Sequence, residues 1–138
     1  MLIGVTGTRS GMNTAQREAV LKFLSQAYDL DAPNELHHGD CVGVDAEVAD
    51  MARGIGYTIV CHPPEIDDLR AFTKYDMVHE PQTYFARNRR IVNECDILVV
   101  VPYQNSHQRT GGTWYTHDYA VKFKKPVHVI YPGENNEI

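Results

Sequence analysis

Residues 96–101, Asp-Ile-Leu-Val-Val-Val, constrain the fold of this 138-residue chain more than any other segment. Side chains of a strand alternate between its two sides, so an unbroken apolar run needs an apolar environment on both. Strands of this kind belong to parallel sheets covered by helices on both faces, and parallel neighbours need crossover connections, usually helical. The rest of the chain should therefore alternate short β-rich runs with helical periodicity.

It does. Residues 2–6, 35–38, 57–61 and 127–131 read as further short strands. Asn13 with Gln16 three positions later is a helix-start pattern, a capping side chain with an amide that reaches back. The helix that follows presents Ala15, Ala19, Val20, Phe23, Leu24 and Ala27 on one face. Further helices are expected over 44–53, 83–94 and 112–124. Their inward candidates are Val44, Val48, Met51 and Ala52, then Phe85, Ile91 and Val92, then Ala120, Val121 and Phe123. Residues 62–82 break the pattern with Pro63, Pro64 and Pro81, and connections of that length tend to be lids or mobile segments. A polar tail closes the chain. The expected architecture is α/β: a three-layer, Rossmann-like open parallel sheet of about five strands with helices on both faces. No repeat or linker divides the chain, so residues 1–138 read as one domain.

Hydrophobic residues make up 43% of the chain, enough for a core. No apolar run approaches the roughly 20 residues that span a bilayer. The first residues, Met1-Leu2-Ile3-Gly4-Val5, lack the charged and apolar regions of a signal peptide. Cys41, Cys61 and Cys95 are odd in number and never spaced CxxC, which suits a reducing cytoplasmic setting rather than a disulfide framework. The net charge of −5 disfavours a broad nucleic-acid-binding face. His37 and His38 are adjacent on a strand, point to opposite faces and cannot share one ion, so no metal site and no cofactor are assigned.

Ligands of open α/β sheets bind beyond the carboxyl ends of the strands. Four unusual segments are expected there. In Thr6-Gly7-Thr8-Arg9-Ser10-Gly11, glycines let backbone amides approach a phosphate, with hydroxyls and a guanidinium beside them; a plain tight turn is the alternative. In His38-Gly39-Asp40-Cys41-Val42-Gly43-Val44-Asp45, Gly39 and Gly43 free a strand-to-helix turn. Asp40 and Asp45 there are acceptors for ribose hydroxyls or exocyclic amines, unless Asp45 only caps the helix. In Arg87-Asn88-Arg89-Arg90, helical spacing turns Arg87 toward the sheet edge and Asn88 and Arg89 elsewhere, so Arg87 is the candidate for bidentate contact with an anion. Arg109-Thr110-Gly111-Gly112-Thr113-Trp114 opens the last helix, whose first amides and positive dipole end favour an anion. Trp114 either stacks on a base or packs in the core.

Taken in order, Gly7-Thr8-Arg9, His38-Gly39-Asp40 with Gly43 and Asp45, His62-Pro63-Pro64, Arg87-Asn88 and Gly111-Gly112-Thr113-Trp114 resemble the SLOG superfamily. That group includes the LOG-type phosphoribohydrolases, the lysine decarboxylase-like proteins and the DNA-processing protein DprA. The resemblance spans nearly the whole chain and is nearest to small stand-alone bacterial and phage members. It implies a nucleotide site formed by Gly111, Gly112, Thr113 and Arg87, and it implies homo-oligomers. LOG-type enzymes carry a glutamate three residues after the motif threonine. Position 116 of this chain is threonine, which cannot supply a carboxylate. Asp118 is a poor substitute, about 200° around the helix from position 116.

Retained phosphate-binding elements beside a missing glutamate point first to a binding protein. It would be a sensor or sequestering protein for an ADP-ribose-like or cyclic nucleotide signal, as relatives are in phage–bacterium conflict. The second reading is a nucleoside 5′-monophosphate N-glycosidase using a carboxylate from Asp40, Asp45 or Glu47. A single-stranded DNA-binding module comes third, given the acidic charge.

Overall fold

The computed structural model describes residues 1–133, so the last five residues of the polar tail lie outside the described residues. The elements in chain order are β1 (Leu2–Gly7), α1 (Thr14–Ala27), β2 (Glu35–His38), α2 (Val44–Ile55), β3 (Thr58–Cys61), β4 (Met77–Val78), α3 (Tyr84–Glu94), β5 (Ile97–Val101), α4 (Gly112–Lys122) and β6 (Val127–Val129). Every strand pairing is parallel, and the order across the sheet is β4-β3-β2-β1-β5-β6. Strand order reverses between β1 and β5, which makes the gap above that pair the natural place for a ligand.

The two-sided strand at residues 97–101 behaves as its sequence requires. Val99 and Val101 pack into the core under α1 and α2, with Val5, Val20, Leu24, Leu36 and Val48. Leu98 and Val100 pack on the opposite face, with Ile91, Val92, Cys95 and Ala120 of the α3–α4 layer. No described helix is long and apolar enough to cross a membrane.

The α1 start is built as its sequence suggests. The Asn13 carboxamide accepts from the Gln16 amide at 2.8 Å, and the Gln16 side chain accepts from the Asn13 amide at 3.1 Å. Gln16 is almost fully buried, and its Nε2 also donates to the carbonyls of Pro102 (3.0 Å) and Ile130 (3.1 Å). One side chain thus joins the helix start to the ends of two strands.

Three expectations need correction. The sheet has six strands, because residues 77–78 add an edge strand in register with Val60 and Cys61. Two residues carry too little periodicity to be seen in a sequence, and backbone pairing alone defines the strand. Residues 62–82 are also tied to the fold rather than lying over it as a lid. Cys41 bridges to Arg70, the Val42 amide donates to Leu69, and the Ala71 amide donates to Asp40. Finally, Phe85, Val121 and Phe123 are exposed, at 52%, 54% and 59%. Phe85 instead packs on the Tyr115 ring across the outer α3–α4 surface, centroids 4.2 Å apart.

Replacing Gln16 with alanine would leave the Pro102 and Ile130 carbonyls without their shared donor. We expect a loss of about 1–3 kcal/mol, read as a lower urea midpoint at unchanged m-value.

Candidate functional site

A cleft of about 510 Å³ opens above β1 and β5, where strand order reverses. Of the residues singled out in the sequence, Gly7, Thr8, Arg9, Asp45, Arg87, Asn88, Thr110, Gly111, Gly112 and Thr113 line it. Gly39, Asp40 and Gly43 do not; they form the wall behind it.

That wall begins with the loop after β1. The Thr8 amide donates to Val101 at 3.0 Å, and the Thr8 carbonyl accepts from Gly11 and Val44. The Thr8 hydroxyl accepts from the Ser10 amide at 3.1 Å. The β2–α2 turn packs directly against this loop through Gly43, which has φ +90°, a conformation that favours glycine. A Cβ there would lie 2.5 Å from the Arg9 carbonyl oxygen. Gly43 thus serves loop-to-loop packing.

Asp40 is fully buried with φ 58°, and both its oxygens are occupied. Oδ1 accepts from the Thr73 hydroxyl (2.6 Å) and amide (3.0 Å), and Oδ2 accepts from Arg70 Nε at 3.0 Å. Burial raises the carboxyl's pKa, but the Thr73 and Arg70 hydrogen bonds outweigh it and hold the group below its usual range. Asp40 is the anchor of the 62–82 segment.

Asp45 lies inside the first turn of α2 rather than at its cap, which is Gly43. Its Oδ2 accepts from the amides of Gly39 (3.0 Å) and Cys41 (3.3 Å). Burial pushes its pKa up to about 6 against the opposing pull of Arg87. It is the one carboxylate among the residues lining the cleft.

Arg87 lines the cleft, but most of its guanidinium is committed to the protein. Nη1 donates to the carbonyls of Gly39 and His62, Nε donates to Asn88 Oδ1 at 2.7 Å, and Nη2 lies 3.8 Å from Cys41 Sγ. The side chain is 4% exposed. A Cβ at Gly39 would collide with this guanidinium, so any larger residue there would have to push Arg87 off its carbonyl partners. Asn88, which helical spacing turns away, is buried beside Arg87 as its Nε acceptor.

The uncommitted positive charge is elsewhere. Arg9 is exposed at the cleft rim and makes no hydrogen bond or ion pair among the described residues. Facing the same cleft, α4 starts at Gly112 behind Gly111, which offers no capping side chain. The first intrahelical bond runs from Tyr115 to Gly111, so the amides of Gly112, Thr113 and Trp114 have no backbone partner. Trp114 is buried, with Nε1 donating to Gln104 at 3.1 Å. Thr116 is buried too, and its hydroxyl donates to the Gly112 carbonyl at 2.7 Å.

Leu69, Tyr84, Tyr103 and Gln104 also line the cleft and were not singled out in the sequence. None of the four is a glycine or a charged residue, and only the fold brings them to the rim.

Two titrations with opposite signs follow from this geometry. Burial holds His38 down to about 4 and His62 down to about 2, so each imidazole stays neutral in the fold. Stability from these groups is present above pH 6.5 and is lost as pH falls below it. Asp45 acts oppositely: its raised pKa makes the fold relatively more stable as pH falls from about 6 toward 4. We expect denaturant stability to fall between pH 7 and pH 4, and to fall more steeply in Asp45→Asn, which removes the opposing contribution.

No protein-family model matches this chain, and no curated protein sequence matches it. Its fold is similar to solved structures. One is a molybdenum cofactor binding protein from the phototrophic bacterium Rippkaea orientalis, with TM-score 0.71, 20% identity, and coverage of 99% of this chain and 79% of that one. Another is the molybdenum cofactor carrier protein from Chlamydomonas reinhardtii, with TM-score 0.62, 21% identity, and coverage of 93% and 74%. At these identities the likeness establishes the fold: this chain is a six-stranded, all-parallel member of the Rossmann-like α/β architecture that those proteins share.

Proposed function

We propose that the cleft binds a small phosphorylated, nucleotide-derived ligand and that the chain acts as a sensor or sequestering protein for it. The carrying observation is the pairing of an uncapped α4 start with the unpartnered Arg9 across one cleft at the strand-order reversal. Unpaired amides, a helix dipole and an exposed guanidinium are complementary to phosphate oxygens. Tyr84, Phe85 and Tyr103 add apolar and aromatic surface for a base or ring system.

The ordered motifs that resemble the SLOG superfamily support a nucleotide-derived ligand, and the same resemblance motivates a role in phage–bacterium conflict and self-association. The structural neighbours named for binding and carrying the molybdenum cofactor support a carrier-like use of this cleft, and that cofactor belongs in the ligand panel. At the position of the LOG-type glutamate, Thr116 is turned onto its own helix backbone, which supports binding over cleavage.

One observation favours a second reading. Asp45 is a cleft carboxylate with a pKa near 6, in the range suited to a general acid. In a nucleoside-phosphate N-glycosidase it would protonate the departing base.

Titration calorimetry with nucleoside mono- and diphosphates, ADP-ribose, cyclic nucleotides and the molybdenum cofactor separates the two readings. We expect one ligand class to bind intact, with Arg9→Ala weakening it about tenfold, near 1.4 kcal/mol. Thr113→Val should weaken it less. Release of free base, abolished in Asp45→Asn, would replace the binding reading with the hydrolase. Affinity indifferent to Arg9→Ala would remove the proposed anion contact.

A further inference from the structure

A second polar cluster lies outside the cleft and plays no part in the proposed function. His37 on β2 and Val60 on β3 are register partners, so their side chains share a sheet face, and His62 follows two residues later on that face. Folding therefore brings His37 to His62, with Nδ1 of the first 2.8 Å from Nε2 of the second. Glu94, the last residue of α3, completes the group: one ligand atom from each of His37, His62 and Glu94 lies within 4.8 Å of the others.

The two rings are buried, at 2% and 1% exposure. Imidazoles placed in such surroundings normally have every ring nitrogen paired. Here the pairing fails by one. Glu35 Oε1 lies 2.8 Å from His37 Nε2 and takes its proton as a hydrogen bond, which leaves His37 Nδ1 as an acceptor. His62 must then donate through Nε2, and its Nδ1 lone pair has no partner. An ion between His37 Nδ1 and His62 Nε2 would replace this contact, with the His62 proton carried on Nδ1 instead.

We propose that His37, His62 and Glu94 bind a divalent transition metal ion of the zinc class. Two imidazoles and one carboxylate form the mixed nitrogen–oxygen set that suits zinc, and solvent can complete its coordination. Glu35 fixes the His37 ring from behind, as carboxylates do for metal-bound histidines. His79 stacks on His62 with centroids 4.3 Å apart, and its Nε2 lies 3.1 Å from Glu94 Oε1, so it orients the carboxylate. Arg90 Nε is 3.9 Å from Glu94 Oε2, so Arg90 and His79 hold the two carboxylate oxygens from different sides. The ion would tie the end of α3 to β2 and β3. Sequence alone hides this set, because the adjacent His37 and His38 point to opposite faces and the partners of His37 are distant in the chain.

The full chain, stripped with EDTA and titrated with Co²⁺ and then Zn²⁺, tests this. We expect one Co²⁺ equivalent with visible ligand-field absorption, displaced by Zn²⁺, and a higher melting temperature with Zn²⁺. Glu94→Gln, at a half-exposed site, and Glu35→Gln should fold normally by circular dichroism, and Glu35→Gln should weaken binding roughly 10- to 100-fold. His37→Gln should abolish it. His107→Gln controls for the exposed His107–His117–Asp118 group and should leave binding unchanged. Absence of Co²⁺ binding by the wild-type chain would overturn the site. So would binding that is lost in His107→Gln but kept in Glu94→Gln and Glu35→Gln.

Discussion

A buried guanidinium holds together the end of this fold where the cleft opens. Arg87 reaches from α3 to the carbonyls of Gly39 and His62, which follow two neighbouring strands, and takes Asn88 with its Nε. Burying a cation is unfavourable unless its donors are satisfied and counter-charge is close. Backbone carbonyls and Asn88 satisfy the donors, and the Asp45 carboxylate supplies the nearby negative charge. Asp45 in turn accepts the amides of Gly39 and Cys41, so the β2–α2 turn is held from both sides. The cleft floor is a network of mutual dependence, and its geometry is set before any ligand arrives.

The upper rim is built differently. Arg9, Tyr103, Thr110, Gly111 and Gly112 are exposed, and the α4 start has no side-chain cap. Behind a rigid floor, this rim holds the groups still free to meet an anion. The division explains why the two arginines that looked alike in sequence serve different ends. Arg87 comes from a helix packed on the sheet and is drawn into backbone carbonyls. Arg9 comes from a turn and stays in solvent.

The fold was legible because its strongest signals are periodic. A strand apolar on both faces, the Asn13–Gln16 helix start and the alternation of short strands with helices survive without any knowledge of tertiary contacts. The edge strand at 77–78 escaped because two residues carry no period. Phe85, Val121 and Phe123 were misplaced because apolar character alone does not say which side of a helix meets the sheet; Phe85 found a partner in Tyr115 on the outer surface. In the cleft, the turns were legible through their glycines and hydroxyls. Behind and beside the cleft, the partners of buried polar groups were not, because Asp40 with Thr73, or His37 with His62, lie 33 and 25 positions apart in the chain. Sequence identifies which groups are unusual, whereas only the folded chain decides which of them are already spoken for.

Gly39 and Gly43 carry a wider implication. Both are fixed by atoms of the protein itself, the first by Arg87 and the second by the Arg9 carbonyl. A descendant of this chain could change the chemistry of the cleft by altering rim side chains while keeping both glycines for the sake of its own architecture. Persistence of these glycines across a lineage would therefore record inheritance of the scaffold, and the rim would be the place to read a change of vocation.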